Sequence, residues 1–197
     1  MAALDDAAPI LLLDVMSTLV WDPFVLMPEH FGMSWRELLD QKHPDAWVRF
    51  ERDELSEDAF YRDFFADGRP IDGPGLRALM RDHYDYLPDI EPLLADLKAA
   101  GVAMHALSNY PRWYLMIEER LELSRYLEWT FVSCKTGYRK PEPDAYLIAL
   151  ATLGGPPERF IFVDDREGNC QAARALGMRA HRFESAERLR ADLAGVL

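Results

Sequence analysis

The amino-acid sequence predicts an α/β fold, in which a parallel sheet with helical crossovers is interrupted after its first strand by a helical insertion. Two observations support this prediction. Short apolar runs alternate with amphipathic stretches in the C-terminal half, which is typical of strands joined by helices. Residues 21–88 instead contain several helix-start patterns and no strand pattern.

Five apolar runs are predicted to be the strands of the sheet. The first is residues 10–15, and the others are residues 102–107, 131–132, 160–163 and 179–183. Short runs of this kind, bounded by turn residues, are typical of strands that are buried on both faces of a parallel sheet.

Helices are predicted between these strands from apolar spacing and end signals. The stretch 90–101 has apolar residues at helical spacing and ends at Gly101, a residue type that often terminates helices. Pro111 and Pro143 each lie near the start of a further helical pattern, where proline is tolerated. Gly177 is expected to close the helix that begins near Arg166.

Within the insertion, Ser34 and Glu37 have the spacing of a capping box, which predicts the start of a helix. Residues 67–75 are rich in Gly, Pro and Asp and are predicted to be a loop between two helices of the insertion.

Composition and charge restrict the possible partners. The chain of 197 residues is 49% apolar, which suits one globular core with a small insertion. Its formal net charge of -12 argues against nucleic acid or an anionic membrane as a partner. We expect a small-molecule ligand and a monomer or homodimer.

The cysteines and the N-terminal residues indicate the compartment. Cys134 and Cys170 do not form a disulfide-scaffold or C-x-x-C pattern, so both are expected to be reduced core thiols. No targeting segment is visible before the first strand, and no apolar run approaches the roughly 20 residues needed to span a bilayer. The expected location is cytoplasmic.

Chemically useful side chains follow the ends of the predicted strands. Because the carboxyl ends of parallel strands share one edge of a sheet, residues far apart in sequence are expected to meet there. These residues are Asp14, Ser108, Asn109, Lys140, Asp164 and Asp165.

This set of side chains is suited to phosphoryl transfer. Asp14 can attack phosphorus as a nucleophile to give an aspartyl-phosphate. Ser108, Asn109 and Lys140 can hold the phosphoryl oxygens where negative charge is concentrated. A strand-ending aspartate alone is as often a helix cap or turn residue as a nucleophile, so the prediction rests on the combination.

The acidic pair Asp164 and Asp165 predicts a metal ion. Together with Asp14 it would crowd several carboxylates, which resist ionisation unless a cation compensates. Hard oxygen ligands favour Mg²⁺. The pair could also cap the helix that begins near Arg166.

These motifs, in this order along the whole chain, resemble those of the haloacid dehalogenase superfamily. The resemblance implies that Asp14 is both nucleophile and metal ligand, that Ser108, Asn109 and Lys140 bind phosphate, and that Asp165 is a direct metal ligand beside Asp164. It also implies a Rossmann-like core of residues 1–19 and 92–197, with a mobile helical cap of residues 20–91.

Met16 departs from the pattern of most phosphatases in that superfamily, which have an aspartate acid/base there. Methionine cannot transfer a proton, but its main-chain oxygen can still bind the metal. General acid–base catalysis is typically worth about 10²- to 10⁴-fold, so a slow enzyme is expected rather than an inactive one. As a packing residue, methionine at this position could equally fill a gap in the core.

A closer resemblance is to the plant plastid flavin mononucleotide hydrolase family, whose first motif also has methionine in the acid position. It implies Mg²⁺-dependent hydrolysis of the phosphomonoester FMN to riboflavin and phosphate. The similar runs are residues 14–20, 31–34, 42–47, 67–70, 108–114 and 162–166.

Several further residues are candidates for contacts with the substrate. Tyr110 and Trp113 follow the second motif and are expected near the phosphate. The insertion holds 12 of the 23 aromatic residues of the chain; most are expected to form its own core, although aromatic faces also suit stacking on a flavin. A substitute acid could come from the cap, for example from His30, His43 or His83.

Two alternative functions remain open from the sequence. One is a noncatalytic protein that binds phosphate ligands and has lost its chemistry with the acid at position 16. The other is a 2-haloacid dehalogenase, which also lacks that acid but needs no metal, so that the acidic pair argues against it.

Overall fold

The computed structural model describes residues 8–194, and within them a parallel sheet of five strands forms the centre of the fold. The strands are β1 (Ile10–Leu13), β2 (Ala103–Ser108), β3 (Glu128–Val132), β4 (Phe160–Asp164) and β5 (Arg179–Arg182). Their order across the sheet is β3-β2-β1-β4-β5. All four neighbouring pairs are parallel, so the predicted α/β fold is confirmed.

The side chains of β1 alternate between two hydrophobic clusters. Leu11 and Leu13 belong to a cluster that includes Val163, whereas Leu12 belongs to one that includes Phe162. Successive side chains of a strand point to opposite faces of the sheet. Both faces are therefore covered by apolar groups, which explains the continuous apolar sequence of β1.

A helical segment follows β1, as the sequence predicts. It begins with a 3₁₀ turn, Pro23–Leu26, and its helices are α1 (Met27–His30), α2 (Trp35–Gln41), α3 (Ala46–Glu51), α4 (Glu57–Asp63) and α5 (Gly73–His83). The predicted capping box is present, because the Ser34 side chain accepts from the Glu37 N–H and the Glu37 side chain accepts from the Ser34 N–H.

The chain enters and leaves this helical segment at one place. The Trp21 N–H donates to the Asp85 carbonyl at 2.8 Å, and the Leu87 N–H donates to the Leu19 carbonyl at 2.9 Å. This arrangement is typical of an insertion. The boundaries of core and cap stay a prediction, and part of the predicted core, residues 1–7 and 195–197, lies outside the described residues.

The helices that return to the sheet are α6 (Ile90–Ala99), α7 (Tyr114–Leu121), α8 (Ser133–Thr136), α9 (Pro143–Leu153), α10 (Glu167–Ala175) and α11 (Ala186–Leu193). Gly101, two residues after α6, has φ +79°, which favours glycine. Pro143 is the first residue of α9, as predicted, whereas α7 starts only at Tyr114. Among the helices of residues 8–194, none combines the length and apolarity that crossing a bilayer requires.

The predicted loop at residues 67–75 is wrong over its last three residues. Gly73, Pro74 and Gly75 form the first turn of α5. The Asp72 side chain caps this helix by accepting the Gly75 N–H at 2.9 Å, and proline suits the first turn. A Cβ at Gly73 would lie 2.2 Å from the Tyr61 ring, so close packing explains a glycine inside a helix.

The helical segment packs on the sheet core through aromatic rings. Trp113, just before α7, lies with its ring centroid 6.1 Å from that of Trp47, 5.3 Å from that of Phe50 and 5.9 Å from that of Phe60. Such aromatic pairs contribute about 0.5–1.5 kcal/mol each beyond burial. The half of the segment that carries α3 and α4 is therefore held firmly against the core.

Both cysteines are core thiols. Cys134 and Cys170 are buried and unpaired. Burial raises the pKa of each thiol to about 11, which keeps both protonated and poorly reactive.

Loss of packing at the centre of the sheet should destabilise the whole fold. Leu12 is 0% exposed, and Leu→Ala at such a position typically costs about 2–5 kcal/mol. We expect Leu12→Ala to lower the free energy of unfolding, measured by urea denaturation, by that amount. Leu147→Ala is the matched control, because Leu147 is 43% exposed. An equal loss in both variants would contradict the assigned core.

Candidate active site

A cavity of about 240 Å³ lies between the carboxyl edge of the sheet and the helical segment. The predicted site residues that line it are Asp14, Met16, Asn109, Tyr110, Lys140 and Asp165. The predicted residues Ser108, Trp113 and Asp164 do not line the cavity, and each is at most 2% exposed.

Asp14 directly follows β1, and a tight turn presents it to the cavity. Its N–H donates to the Val163 carbonyl of β4 at 2.9 Å, which extends the pairing of the strands by one residue. Ser17 then adopts φ +60°, and its N–H donates to the Val20 carbonyl at 2.8 Å. A non-glycine residue with this backbone conformation is strained, and such strain is common at functional sites.

Lys140 joins two of the predicted acidic residues. Its Nζ lies 2.7 Å from Asp14 Oδ1 and 2.6 Å from Asp164 Oδ2. Asn109 fixes the main chain of Lys140, since Asn109 Oδ1 accepts the Lys140 N–H at 2.7 Å and Asn109 Nδ2 donates to the Lys140 carbonyl at 2.8 Å. The loop before α9 is thereby attached to the ends of β1, β2 and β4.

Three carboxylates crowd this edge of the sheet. Asp14, Asp164 and Asp165 each offer an oxygen within 4.8 Å of the others. Burial raises the pKa of Asp14 to about 7, although Lys140 opposes the shift. Burial and the neighbouring Asp164 also raise the pKa of Asp165.

The ammonium of Lys140 remains charged in this environment. Burial acts to lower the pKa of Lys140, but Asp14 and Asp164 outweigh it, and the pKa lies above its usual value. One ammonium among three carboxylates leaves an excess of negative charge, which favours binding of a further cation.

This donor set fits Mg²⁺. The ion prefers oxygen ligands and usually takes one or two carboxylates. Asp14 and Asp165 line the cavity, and Asp164 lies within reach of both. The predicted use of the main-chain oxygen of Met16 stays a prediction, although Met16 lines the same cavity.

Two residues that position the acidic pair were missed in the sequence analysis. Asn169 Nδ2 donates to both oxygens of Asp164, at 2.9 and 3.0 Å. The Asp165 N–H donates to Thr18 Oγ1 at 3.1 Å, and Thr18 is fully buried. The signals available in the sequence were a polar residue on the first turn of α10 and a threonine in the first motif.

Ser108 has a buried hydroxyl oxygen for which the described residues offer no hydrogen-bond partner. A buried hydroxyl without a partner is unfavourable by about 1–3 kcal/mol. Its position at the end of β2 suits donation to an anionic oxygen. Both polar atoms of the Asn109 side chain, in contrast, bond Lys140, so positioning of Lys140 is the observed role of Asn109.

The two aromatic residues predicted near the phosphate are placed differently. Tyr110 lines the cavity, and its hydroxyl lies 2.8 Å from that of Tyr84. Trp113 is 2% exposed and packs against Trp47 and Phe50 behind the cavity wall. A contact of Trp113 with substrate is therefore not supported by its position.

The helical segment supplies the opposite wall of the cavity. Its aromatic lining residues are Phe24, Trp47, Phe60 and Phe64, and its polar ones are Asp22, Lys42, His43 and Glu51. His43 is thus the one histidine of the three candidates that lines the cavity, since His30 and His83 do not.

Glu51 was not recognised in the sequence analysis. It is 5% exposed, and its carboxylate accepts from Trp47 Nε1 at 2.5 Å and from Arg139 Nε at 3.2 Å. Burial raises the pKa of Glu51 to about 6, against the opposing effect of Arg139. No motif marks this glutamate, because its environment depends on how α3 packs against the core.

Comparisons with known proteins agree with the fold and with the family resemblance of the sequence. Residues 17–177 match a model of haloacid dehalogenase-like hydrolases. The chain is 46% identical to a chloroplast flavin mononucleotide hydrolase of Arabidopsis thaliana, over 94% of this chain and 76% of that protein. It is 30% identical to a sesquiterpene phosphatase of Aspergillus oryzae, over 80% of both chains.

A solved structure has the same fold. A haloacid dehalogenase family enzyme of Bacteroides thetaiotaomicron, in complex with magnesium and inorganic phosphate, superposes with a TM-score of 0.72. The two chains are 18% identical, and the alignment covers 92% of this chain and 98% of that one. The resemblance inferred from the sequence motifs is confirmed.

The thermal stability of the protein should depend on the balance of charges in the site. In metal-free buffer, Lys140→Met leaves buried carboxylates without their ammonium partner, and removal of one partner of a buried pair typically costs about 3–5 kcal/mol. We expect this variant to unfold at a lower temperature than the wild type in a thermal melt at neutral pH.

Asp14→Asn is the matched variant for that experiment. It removes a charge that burial disfavours, so its unfolding midpoint should equal or exceed that of the wild type. A lower midpoint for Asp14→Asn, comparable to that of Lys140→Met, would show that the excess of negative charge does not govern the site.

Proposed function

Because the chain belongs to the haloacid dehalogenase-like hydrolase family, we propose that it is a Mg²⁺-dependent phosphomonoester hydrolase that converts FMN to riboflavin and phosphate. The observation that carries the proposal is the meeting of Asp14, Lys140 and Asp165 on one cavity. The substrate is supported by the 46% identity to the Arabidopsis enzyme.

In the proposed reaction, an oxygen of Asp14 attacks phosphorus, the bond from phosphorus to the ester oxygen breaks, and riboflavin leaves. Water then hydrolyses the aspartyl-phosphate to regenerate Asp14 and release phosphate. Lys140 and Ser108 stabilise the phosphoryl oxygens, since Lys140 carries the positive charge nearest to Asp14 and Ser108 has a hydroxyl to donate.

Asp14, Asp164, Asp165 and the main-chain oxygen of Met16 are proposed to hold the Mg²⁺ ion. When bound, the ion neutralises the repulsion between a carboxylate nucleophile and an anionic phosphate. The Asn169 and Thr18 hydrogen bonds keep the acidic pair oriented for this role.

The size of the cavity bears on how FMN would bind. A cavity of about 240 Å³ is smaller than the roughly 300–1,000 Å³ of sites that enclose a drug-sized ligand. The phosphate and the adjoining chain of FMN would fit inside, with the flavin ring at the mouth or admitted by movement of the helical wall. Phe24 and Trp47 on that wall offer faces for stacking.

The net charge of the chain bears on its partner, and a relative bears on its location. The formal net charge of -12 favours a small phosphate ester over nucleic acid or an anionic membrane. A cytoplasmic location stays a prediction, and the Arabidopsis relative is by name a chloroplast protein. Whether the protein is a monomer or a homodimer also stays a prediction.

The proposed activity is tested by phosphate release from FMN. Wild-type protein with Mg²⁺ should release riboflavin and phosphate in equal amounts, and chelation of the metal should abolish the release. Asp14→Asn should reduce the rate to background while the circular dichroism spectrum is unchanged, because the nucleophile is lost. Asp144→Asn, a change at an exposed residue, is the control and should keep the wild-type rate.

The other outcomes of this experiment separate the alternatives. Binding of FMN without turnover at high enzyme concentration would favour a noncatalytic binding protein. Release of chloride from 2-chloropropionate without Mg²⁺ would favour a dehalogenase. Turnover of other phosphate esters but not of FMN would support the proposed phosphatase activity and exclude FMN as its substrate.

A second prediction concerns Met16. If a missing acid limits the rate, Met16→Asp should raise kcat on FMN by up to about 10²-fold, the lower end of what general acid catalysis contributes, because aspartate can protonate the leaving oxygen. Met16→Asn, which introduces a side chain of the same shape as aspartate but without an acidic group, should give no gain in kcat. A Met16→Asp variant no faster than Met16→Asn would show that the missing acid does not limit the rate.

A further inference from the structure

Hydrolysis of an alkyl phosphate requires a proton for the leaving oxygen. Met16 occupies the position next to the nucleophile where an acid could supply it, and a thioether has no proton to give. In an in-line displacement the leaving oxygen lies on the side of phosphorus opposite to the attacking oxygen. With Asp14 on the sheet edge, that side is the helical wall of the cavity.

At the sheet edge, the acidic residues are assigned to the nucleophile and to the metal, and the two remaining candidate proton donors, Lys140 and Tyr110, are already engaged. Lys140 pairs with Asp14 and Asp164. The Tyr110 hydroxyl is bonded to Tyr84, and burial raises the pKa of Tyr110 well above its usual value. Neither group is available to protonate an oxygen that faces the helical wall.

The helical wall offers four titratable side chains to the cavity: Asp22, Lys42, His43 and Glu51. Asp22 caps the 3₁₀ turn, with its Oδ1 accepting the Phe24 N–H at 3.0 Å. His43 Nδ1 accepts the Asp45 N–H at 3.1 Å, which ties the ring to its own loop. Of the four, Glu51 is the most deeply buried, at 5% exposure.

Glu51 is held in place from both sides of the cavity. Trp47, one turn earlier on α3, donates to Oε1, while Arg139 from the sheet core donates to Oε2. Ser133 Oγ donates to the Glu51 carbonyl at 2.7 Å and so fixes the end of α3 on the core. The carboxyl group of Glu51 is therefore oriented before any substrate binds, as an acid catalyst requires.

We propose that Glu51 is the general acid and base of this enzyme, replacing the acid that position 16 lacks. The inference rests on the proposed phosphomonoesterase activity and adds a residue to it. Glu51 gives its proton to the ester oxygen as the bond to phosphorus breaks, and the electron pair of that bond stays on the oxygen, which becomes the hydroxyl of the product.

The second half of the reaction uses the same residue in reverse. Water takes the place of the departed alcohol and attacks the phosphorus of the aspartyl-phosphate. The Glu51 carboxylate accepts its proton, the bond between phosphorus and the Asp14 oxygen breaks, and phosphate and the Asp14 carboxylate result. Glu51 is again protonated, so the proton count balances over one turnover.

The surroundings of Glu51 suit both protonation states. Burial raises the pKa of Glu51 to about 6, while the positive charges of Arg139 and Arg166 and the hydrogen bond from Trp47 oppose that shift. An acid with a pKa near the working pH can both donate and accept a proton. Arg139 also stabilises the carboxylate that forms when the proton is transferred.

The test compares two leaving groups in Glu51→Gln. The alkoxide of FMN needs a proton to leave, whereas the phenolate of p-nitrophenyl phosphate leaves without one. The comparison uses kcat/KM, which reports the steps up to departure of the leaving group and not the later hydrolysis of the aspartyl-phosphate that both substrates share. We expect kcat/KM for FMN to fall by about 10²-fold or more and kcat/KM for p-nitrophenyl phosphate to change by less than about threefold. A purely structural role of Glu51 would reduce both rates by the same factor, and that result would overturn the proposal.

Asp22→Asn is the matched control, because Asp22 is the other carboxylate on the helical wall of the cavity. It should alter both rates equally. A loss confined to FMN in Asp22→Asn, with none in Glu51→Gln, would assign the proton to Asp22 and overturn the proposal for Glu51.

Two further variants test the assignment, so that it does not rest on Glu51→Gln alone. Met16→Asp in the Glu51→Gln background supplies an acid from the other side and should restore kcat on FMN by at least about tenfold over Glu51→Gln. Glu51→Asp, which keeps the acid on a shorter stem, should show the same selective loss on FMN to a smaller extent. Absence of both effects would overturn the proposal.

Failure of the proposed substrate is distinguishable from failure of the Glu51 assignment. If the wild type does not hydrolyse FMN but hydrolyses another alkyl phosphate, the comparison is made with that ester and the assignment of Glu51 is still decided by the ratio of the two rates. If the wild type hydrolyses no phosphate ester, the proposed function fails, and the role of Glu51 fails with it.

Discussion

The site depends on the ammonium of Lys140 between two buried carboxylates. Lys140 is 3% exposed and Asp164 is fully buried, so the cost of removing these charges from water has to be offset by their contacts at 2.7 and 2.6 Å. Asn109 sets the main chain of Lys140, and Asn169 sets Asp164. One ammonium is thereby held among three carboxylates at this edge of the sheet, and the affinity for a further cation follows from the negative charge that remains.

Much of this edge could be predicted from the sequence because it follows from strand direction. The carboxyl ends of parallel strands must share an edge, and this brings Asp14 and Lys140 together across more than half of the chain. Glu51 could not be predicted, since its environment is made by the packing of α3 against Trp113 and Ser133. The first turn of α5 was missed because Gly-Pro-Gly is typical of a loop, and only the contact of Gly73 with Tyr61 explains it.

The same packing restricts how the cavity can open. Trp47 lines the cavity and contacts Trp113, and Phe50 on the same helix also packs against Trp113. Helix α3 therefore cannot swing away without exposing large aromatic surface. The 3₁₀ turn and α2 are tied to the core less extensively, and they carry the exposed side chains of Val25, Trp35 and Leu39. Movement that admits a tricyclic ring is therefore expected on that side of the mouth, with the wall that holds Glu51 fixed.

A methionine at position 16 is consistent with this division of roles. Met16 is 9% exposed and belongs to the hydrophobic cluster that covers one face of the sheet. An aspartate there would add a fourth carboxylate to a cluster that holds one ammonium, and each added like charge raises the free energy of the metal-free protein. A proton donor on the opposite wall avoids that repulsion, because Glu51 has Arg139 as its own partner. The pKa values of the nucleophile and of the acid can then be set independently. Lys140 and a metal ion act on Asp14, whereas burial and the guanidinium groups of Arg139 and Arg166 act on Glu51.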